Sequence, residues 1–331
     1  MATLSGLSSP FQSAGSSNRV NTAQLFNNNG RANFRVKSWL EQYLKQQEEA
    51  AAEKKAAEEE AAEQAAFEAQ KQAHKDNADF VYEPEACYGT VKVHELEGAG
   101  QDQNIYVDMS GVSAEYDWTI HTESGDDVIY MGSNDKLPAI TSAPLSDSKG
   151  NGFAYWDNVF SGAGDDKIFG GDGSQMAFGD VGDDLIDLGD GFDAAGGGYG
   201  SDEFIINLQN TGVDLVRDFI DVGDKITIYN GDELAEAGDW MLVSVGSEWT
   251  GPAFDNSNFA GVYETGHNFY ELQTADGVSA AIFAAGTCIL GGNSVGVEYQ
   301  GPSSELTIQQ SSSGLEVIEQ NYSSSASVEF V

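Results

Sequence analysis

Between Gly152 and Ile205 the apolar positions recur in steps of nine. Reading in nines gives GFAYWDNVF, SGAGDDKIF, GGDGSQMAF, GDVGDDLID, LGDGFDAAG and GGYGSDEFI, and a separate copy, TESGDDVIY, occupies Thr122 to Tyr130. The eighth position is Val159, Ile168, Ile186 and Phe204, with Ile129 in the separate copy; Ala177 and Ala195 take it in the other two. Each copy therefore predicts a six-residue glycine-rich loop followed by a short strand with one inward anchor. The repetition predicts copies stacked on one another, because a single unit of this size cannot bury its apolar face.

Elsewhere the pattern changes. Residues 1–36 are rich in Ser, Asn and Gly without apolar periodicity, and read as an extended arm. Residues 37–77 are Ala, Glu, Gln and Lys with neither Gly nor Pro, which predicts a helix supported by pairs such as Glu41 with Lys45. Trp39, Leu40, Tyr43 and Leu44 mark its first turns, and the shallow alanine stripe suits a spacer or a coiled coil. Residues 78–151 are β-rich, with strands expected at Thr90–Val93, Ile105–Met109 and Trp118–His121. Residues 137–150 read as a loop inserted between the separate copy and the array. The array and the strand pair closing it fill 152–229. A further β-rich unit is expected over 230–331, with strands at Trp240–Val245, Gly261–Glu264, Asn268–Thr274 and Val278–Phe283. Asp276-Gly277 signals a hairpin between the last two.

The formal charge of −39 changes the picture of partners. Residues 1–76 hold nine of the fifteen basic residues and ten of the fifty-four acidic ones, so the remainder carries −38. Nucleic acid is not expected as a partner, since phosphate contacts need clustered Lys and Arg. Membrane insertion is not expected either, since no apolar stretch approaches the roughly 20 residues of a spanning helix. Cys87 and Cys288 are the only cysteines, and the sequence does not show whether they pair.

The repeat loops carry the candidate chemistry. Their sixth position is Asp157, Asp166, Asp184, Asp193 and Asp202, with Asp127 in the separate copy and Gln175 as the exception. Gly162, Gly164, Gly179, Gly182, Gly197 and Gly200 allow tight turns that aim backbone carbonyls at a small cavity. Carboxylate and carbonyl oxygens suit a hard cation, and an irregular cage of them suits calcium better than magnesium. The chain resembles the RTX calcium-binding family at these residues, whose repeat is G-G-x-G-x-D-x-U-x with U apolar. The stretch Val213 to Ile228 also resembles the closing strands of that family at Asp218, Phe219, Gly223, Asp224, Lys225 and Ile226.

The resemblance implies a mainly β fold, a right-handed parallel β-roll solenoid with flanking β-rich units and the N-terminal α-helix. Two nonads would make one turn, so Asp166, Asp184 and Asp202 would share one edge, and Asp157, Gln175 and Asp193 the other. Good Ca2+ sites are expected on the first edge and weak or absent ones on the second. The resemblance also implies type I export without a cleaved signal, to which a Ser-rich terminus ending Val328-Glu329-Phe330-Val331 conforms.

His94-Glu95 is followed by Leu96, Glu97 and Gly98, so it is not a zinc-protease HExxH, and no Walker loop occurs. His74, His121 and His267 read as packed or exposed residues. The expectation is a non-enzymatic, calcium-binding, extracellular or cell-surface structural or adhesive protein, assembling through its N-terminal helix. Two alternatives stand beside it: a bacteriophage virion protein (fibre, knob or decoration), and an enzyme whose site in the β units is unrecognised.

Overall fold

The computed structural model describes residues 30–87, 89–112, 118–132, 157–172, 175–191, 193–246, 268–285, 289–290, 299–300, 304–322 and 327–331. The chain divides into two compact units, residues 1–70 and 71–331.

The helix α1 runs Gly30–Asn77, beginning several residues before the composition shift at Lys37 that the sequence offers as its start. Within it Lys45 pairs with Glu49 at 3.5 Å and Lys54 with Glu58 at 3.1 Å. These exposed pairs each add only about 0.3–0.5 kcal/mol. No helix among the described residues is long and apolar enough to cross a membrane.

The second unit is mainly β, with parallel-rich sheets. Its strands in chain order are β1 (Phe80–Tyr82), β2 (Gly89–Lys92), β3 (Ile105–Asp108), β4 (Trp118–Ser124), β5 (Val128–Tyr130), β6 (Asp157–Ala163), β7 (Lys167–Phe169) and β8 (Gln175–Val181). Then come β9 (Leu185–Asp187), β10 (Ala194–Tyr199), β11 (Glu203–Asn207), β12 (Asp214–Phe219), β13 (Lys225–Asn230) and β14 (Glu233–Leu234). The chain continues with β15 (Trp240–Gly246), β16 (Asn268–Thr274), β17 (Ser279–Ala285), β18 (Ile289–Leu290), β19 (Tyr299–Gln300), β20 (Ser304–Ser311), β21 (Gly314–Tyr322) and β22 (Ser327–Phe330).

Consecutive strands from β1 to β13 fall alternately into two sheets. One sheet runs β1-β3-β5-β7-β9-β11-β13 and ends in β21-β20-β22; the other runs β2-β4-β6-β8-β10-β12 and ends in β17-β16-β15. The alternating strands pair in parallel, and the later strands extend both sheets, β17 parallel to β12 and β21 antiparallel to β13. Antiparallel β16 and β17 bracket Asp276-Gly277, with Gly277 at φ +78° as a tight hairpin requires. The strand expected at Gly261–Glu264 lies outside the described residues.

The eighth-position anchors form columns inside the two sheets. Val107, Ile129, Ile168, Ile186, Phe204 and Ile226 are successive register partners in one sheet. Ile120, Val159, Ala177, Ala195, Val216 and Phe283 are successive partners in the other. All belong to one buried core. Full burial of each large aliphatic side chain stabilises by about 2 kcal/mol.

The separate repeat is in register with the array. Asp127 and Asp166 are neighbours although 39 positions apart, where later neighbours are 18 apart, so 21 residues are interpolated between β5 and β6. The loop expected at 137–150 falls in that interval, outside the described residues.

Candidate metal centre: stacked rows of buried aspartates

The first-edge loops from β4 to β9 each join a seven-residue strand of one sheet to a three-residue strand of the other, as in 182–184 between β8 and β9. Adjacent loops stack so closely that a Cβ on Gly182 would stand 1.9 Å from the Gly164 carbonyl oxygen, at a backbone φ of +141°. Only glycine meets both demands. Asp180 and Glu123, two positions before Gly182 and Gly125, hold φ of +77° and +82° with full side chains, a strained conformation for non-glycine residues.

The sixth-position aspartates form a ladder. The Asp127 N–H donates to Asp166 Oδ1 at 2.7 Å, Asp166 N–H to Asp184 Oδ1 at 2.8 Å, and Asp184 N–H to Asp202 Oδ1 at 2.9 Å. Ile105 N–H begins the ladder on Asp127 Oδ1 at 2.7 Å, and Asp202 N–H ends it on Asp224 Oδ1 at 3.1 Å. All five aspartates are buried. One oxygen of each carboxylate is thus used by the backbone. The other, Oδ2 of Asp127, Asp166, Asp184 and Asp202, is buried and accepts no hydrogen bond.

Leaving a buried carboxylate oxygen unsatisfied is costly. Burial, opposed by the donated N–H groups and reinforced by neighbouring aspartates, pushes the carboxyl of Asp166 up to about 7, Asp184 to about 8 and Asp202 to about 7. Asp127 is raised to about 6 for the same leading reason. Gly179 and Gly197 make room for these oxygens: a Cβ on either would lie 2.0 Å from Oδ2 of Asp184 or Asp202. The Asp224 carboxylate differs. Its Oδ2 accepts the N–H of Ile220 and of Asp221, both at 2.8 Å, so it closes the ladder with both oxygens satisfied.

The second edge repeats the device less regularly. Asp157 Oδ1 accepts Trp118 N–H at 3.0 Å, Asp193 Oδ1 accepts Gln175 N–H at 2.7 Å, and Asp214 Oδ1 accepts Asp193 N–H at 3.4 Å. Gln175 is not a vacant ligand position. Its Nε2 donates to the Gly132 carbonyl at 2.8 Å and its Oε1 accepts Gly171 N–H at 3.1 Å, so it ties Gly132 to Gly171. Asp193 Oδ2 is buried without a hydrogen bond. Burial raises both Asp193 and Asp214; the Asp214 charge lifts Asp193 further, while the Asp193 carboxyl opposes the rise of Asp214.

The fixed nine-residue frame misses Asp214 and treats Asp224 only as part of the closing strands. Two further copies are legible once the frame is released: QNTGVDLVR over 209–217 and FIDVGDKIT over 219–227, each with an acid sixth and an apolar residue eighth. Their aspartates follow their row neighbours by 21 and 22 positions instead of 18. Asp218, expected among the closing strands, accepts the N–H of Gly197 and of Gly198 at 2.9 and 3.0 Å.

Among the described residues no three side chains of His, Cys, Asp and Glu converge as a metal cluster. A cation in these rows would take carboxylate oxygens together with backbone carbonyls, an all-oxygen set fitted to a hard ion. The histidines lie elsewhere. His121 stacks on Phe160 at 4.8 Å, and His74 Nδ1 is 2.8 Å from the Tyr130 hydroxyl. His267 and Cys288 fall outside the described residues; Cys87 is buried, and burial pushes its thiol up. No family model matches the chain, and a search of curated proteins finds no match.

Proposed function

We propose that this chain is a calcium-binding, non-enzymatic, extracellular protein with a structural or adhesive role, whose second unit is a right-handed parallel β-roll that folds on binding the ion. The observation that carries the reading is the line of buried, unsatisfied Oδ2 atoms on Asp127, Asp166, Asp184 and Asp202. A stack of acids burying one free oxygen each is unfavourable alone and favourable around a divalent cation. Asp127, Asp166, Asp184 and Asp202 would hold the ions on the first edge, with carbonyls of the loops containing Gly162, Gly164, Gly179, Gly182, Gly197 and Gly200. On the second edge Asp157 and Asp193 would contribute, Asp193 together with Asp214.

The environment follows from affinity. Extracellular calcium modules bind at around 10⁻⁴–10⁻³ M. At ten times the dissociation constant one site adds about 1.4 kcal/mol, and several together decide whether a marginal body folds. Such a chain stays unfolded where calcium is scarce and folds where it is abundant.

The test is far-UV circular dichroism of the full chain during a calcium titration, with magnesium as control. A cooperative gain of β signal with calcium and not with magnesium supports the reading. An identical fold in chelator, with no calcium bound by calorimetry, overturns it.

A further inference from the structure

The first edge has an outward row beside the buried aspartates. Ser124, Ala163, Val181 and Tyr199 are successive register partners. Val181 is 51 % exposed and Tyr199 53 %, and Val222, on the next loop, is 50 % exposed. Ser201 joins the last two loops by donating its hydroxyl to the Val222 carbonyl. Three large apolar side chains on adjoining turns thus face solvent. Flanking them, Asp126, Asp165 and Asp183 are exposed and form their own ladder, each Oδ1 accepting an N–H from the next turn: Asp165 to Asp126 at 3.1 Å, Asp183 to Asp165 at 3.0 Å and Ser201 to Asp183 at 2.9 Å. The carboxylates are held at fixed spacing by backbone, so the acidic line is rigid rather than a brush of loose side chains.

The chain itself contains a segment of opposite character. Residues 1–40 hold Arg19, Arg31, Arg35 and Lys37 and no acidic residue, so the net −39 is −43 over the rest. The same segment carries Leu25, Phe26, Phe34 and Val36 among its basic residues. From Ala32 to Asn77 there is no glycine or proline, the residues at which helices most readily bend. In sequence, 46 residues without either breaker thus lie between Arg31 and Ala78.

We infer that the edge formed by Val181, Tyr199, Val222 and the Asp126–Asp165–Asp183 line is a docking surface for the basic N-terminal segment, residues 1–40, of a second copy of this chain. Apolar side chains of the segment cover the stripe, and its arginines meet the fixed carboxylates. A bidentate arginine fork matches a carboxylate held in one orientation. Because the donor and acceptor surfaces differ, each copy offers one of each. The contact is heterologous, and propagates into a chain or ring of copies rather than a closed twofold dimer. The calcium reading enters only in that the edge must be folded.

The test uses the full chain in millimolar calcium, with mass read by light scattering as concentration and salt are varied. The wild-type mass rises with protein concentration and falls with added salt. Charge reversal in the segment (Arg31→Glu with Arg35→Glu) and a positive charge introduced on the edge (Val181→Lys) each weaken association about tenfold, or roughly 1.4 kcal/mol. Combining Arg35→Glu with Val181→Lys restores part of it, which association through the helix alone would not do. Val222→Lys, two turns further, is the second edge variant should Val181→Lys fail to fold by circular dichroism. A wild-type chain of single-copy mass at every concentration overturns the inference. So does unchanged association in the charge-reversed segment, or absence of energy transfer between mixed copies carrying donor and acceptor dyes. The β signal in calcium separates these outcomes from a failure of the calcium reading itself.

Discussion

Lys71 Nζ lies 2.6 Å from Asp108 Oδ2, and both side chains are largely removed from solvent. The ammonium also donates to Ser110 Oγ at 3.0 Å and sits 5.1 Å from the Tyr130 ring centroid. The pair ties the last helical turns of α1 to β3 and β5, and His74 adds a hydrogen bond to Tyr130 and a stack on Phe169. Burial alone would raise the Asp108 carboxyl, but Lys71 and Ser110 outweigh it and hold it below its ordinary range. The pair's contribution is therefore present above the usual aspartate range and lost as pH falls through the depressed value. Lys71→Met leaves a buried carboxylate without its cation and is expected to cost about 3 kcal/mol in urea unfolding. Adding Asp108→Leu should return part of that loss, because the stranded charge is then gone too.

Asp184 occupies the middle of the first ladder. Asp184→Asn keeps an oxygen to accept the Asp166 N–H while removing the charge. Calcium titration followed by circular dichroism should show a midpoint raised several-fold, and the chelated chain should be no less stable than wild type. A wild-type midpoint would show that the ladder is structural only.

Gln175→Asp tests whether the second edge merely lacks a carboxylate. The glutamine already bonds Gly132 O and Gly171 N–H, and aspartate is too short and has no N–H to replace them. Calorimetry should find no gain in calcium affinity and a loss of stability of about 1–2 kcal/mol from the unpaired Gly132 carbonyl.

In chelator, acidity should stabilise the body. Asp127, Asp166, Asp184 and Asp202 have folded values of about 6 to 8, above the 3.8 of the unfolded side chain. Between those limits the folded state binds more protons, so stability falls as pH rises through them. The β signal without divalent ions should fall from about pH 5 to about pH 8, and saturating calcium should remove the trend, since protons and calcium compete for the same oxygens. A β signal that rises with pH in chelator would contradict the burial of this row.

Gly182→Ala and Gly111→Ala separate stacking from general glycine effects. A Cβ at 182 meets the Gly164 carbonyl at 1.9 Å with φ +141°, whereas nothing lies within 4 Å of one at 111, where φ is not positive. Thermal unfolding in calcium should show a loss of at least about 2 kcal/mol for the first and within about 0.5 kcal/mol for the second.

The nine-residue period by itself determined the short strands, the inward anchors from Ile129 to Phe204 and the six aspartates, because each depends only on local spacing of loop and strand. It also determined a long helix, since the composition after Lys37 excludes most alternatives. Spacing could not reach Asp214 and Asp224, whose copies sit three and four residues out of phase. Their place in the rows is fixed by which strands pair, a long-range property. Nor could it separate Gln175 from a lost ligand, because its partner Gly132 is 43 positions away and meets it only through stacking. The later strands likewise look like a separate unit in the sequence. Only pairing of β17 with β12 and β21 with β13 makes them extensions of the two sheets, since a strand's partner is set by hydrogen bonds that its own residues do not encode.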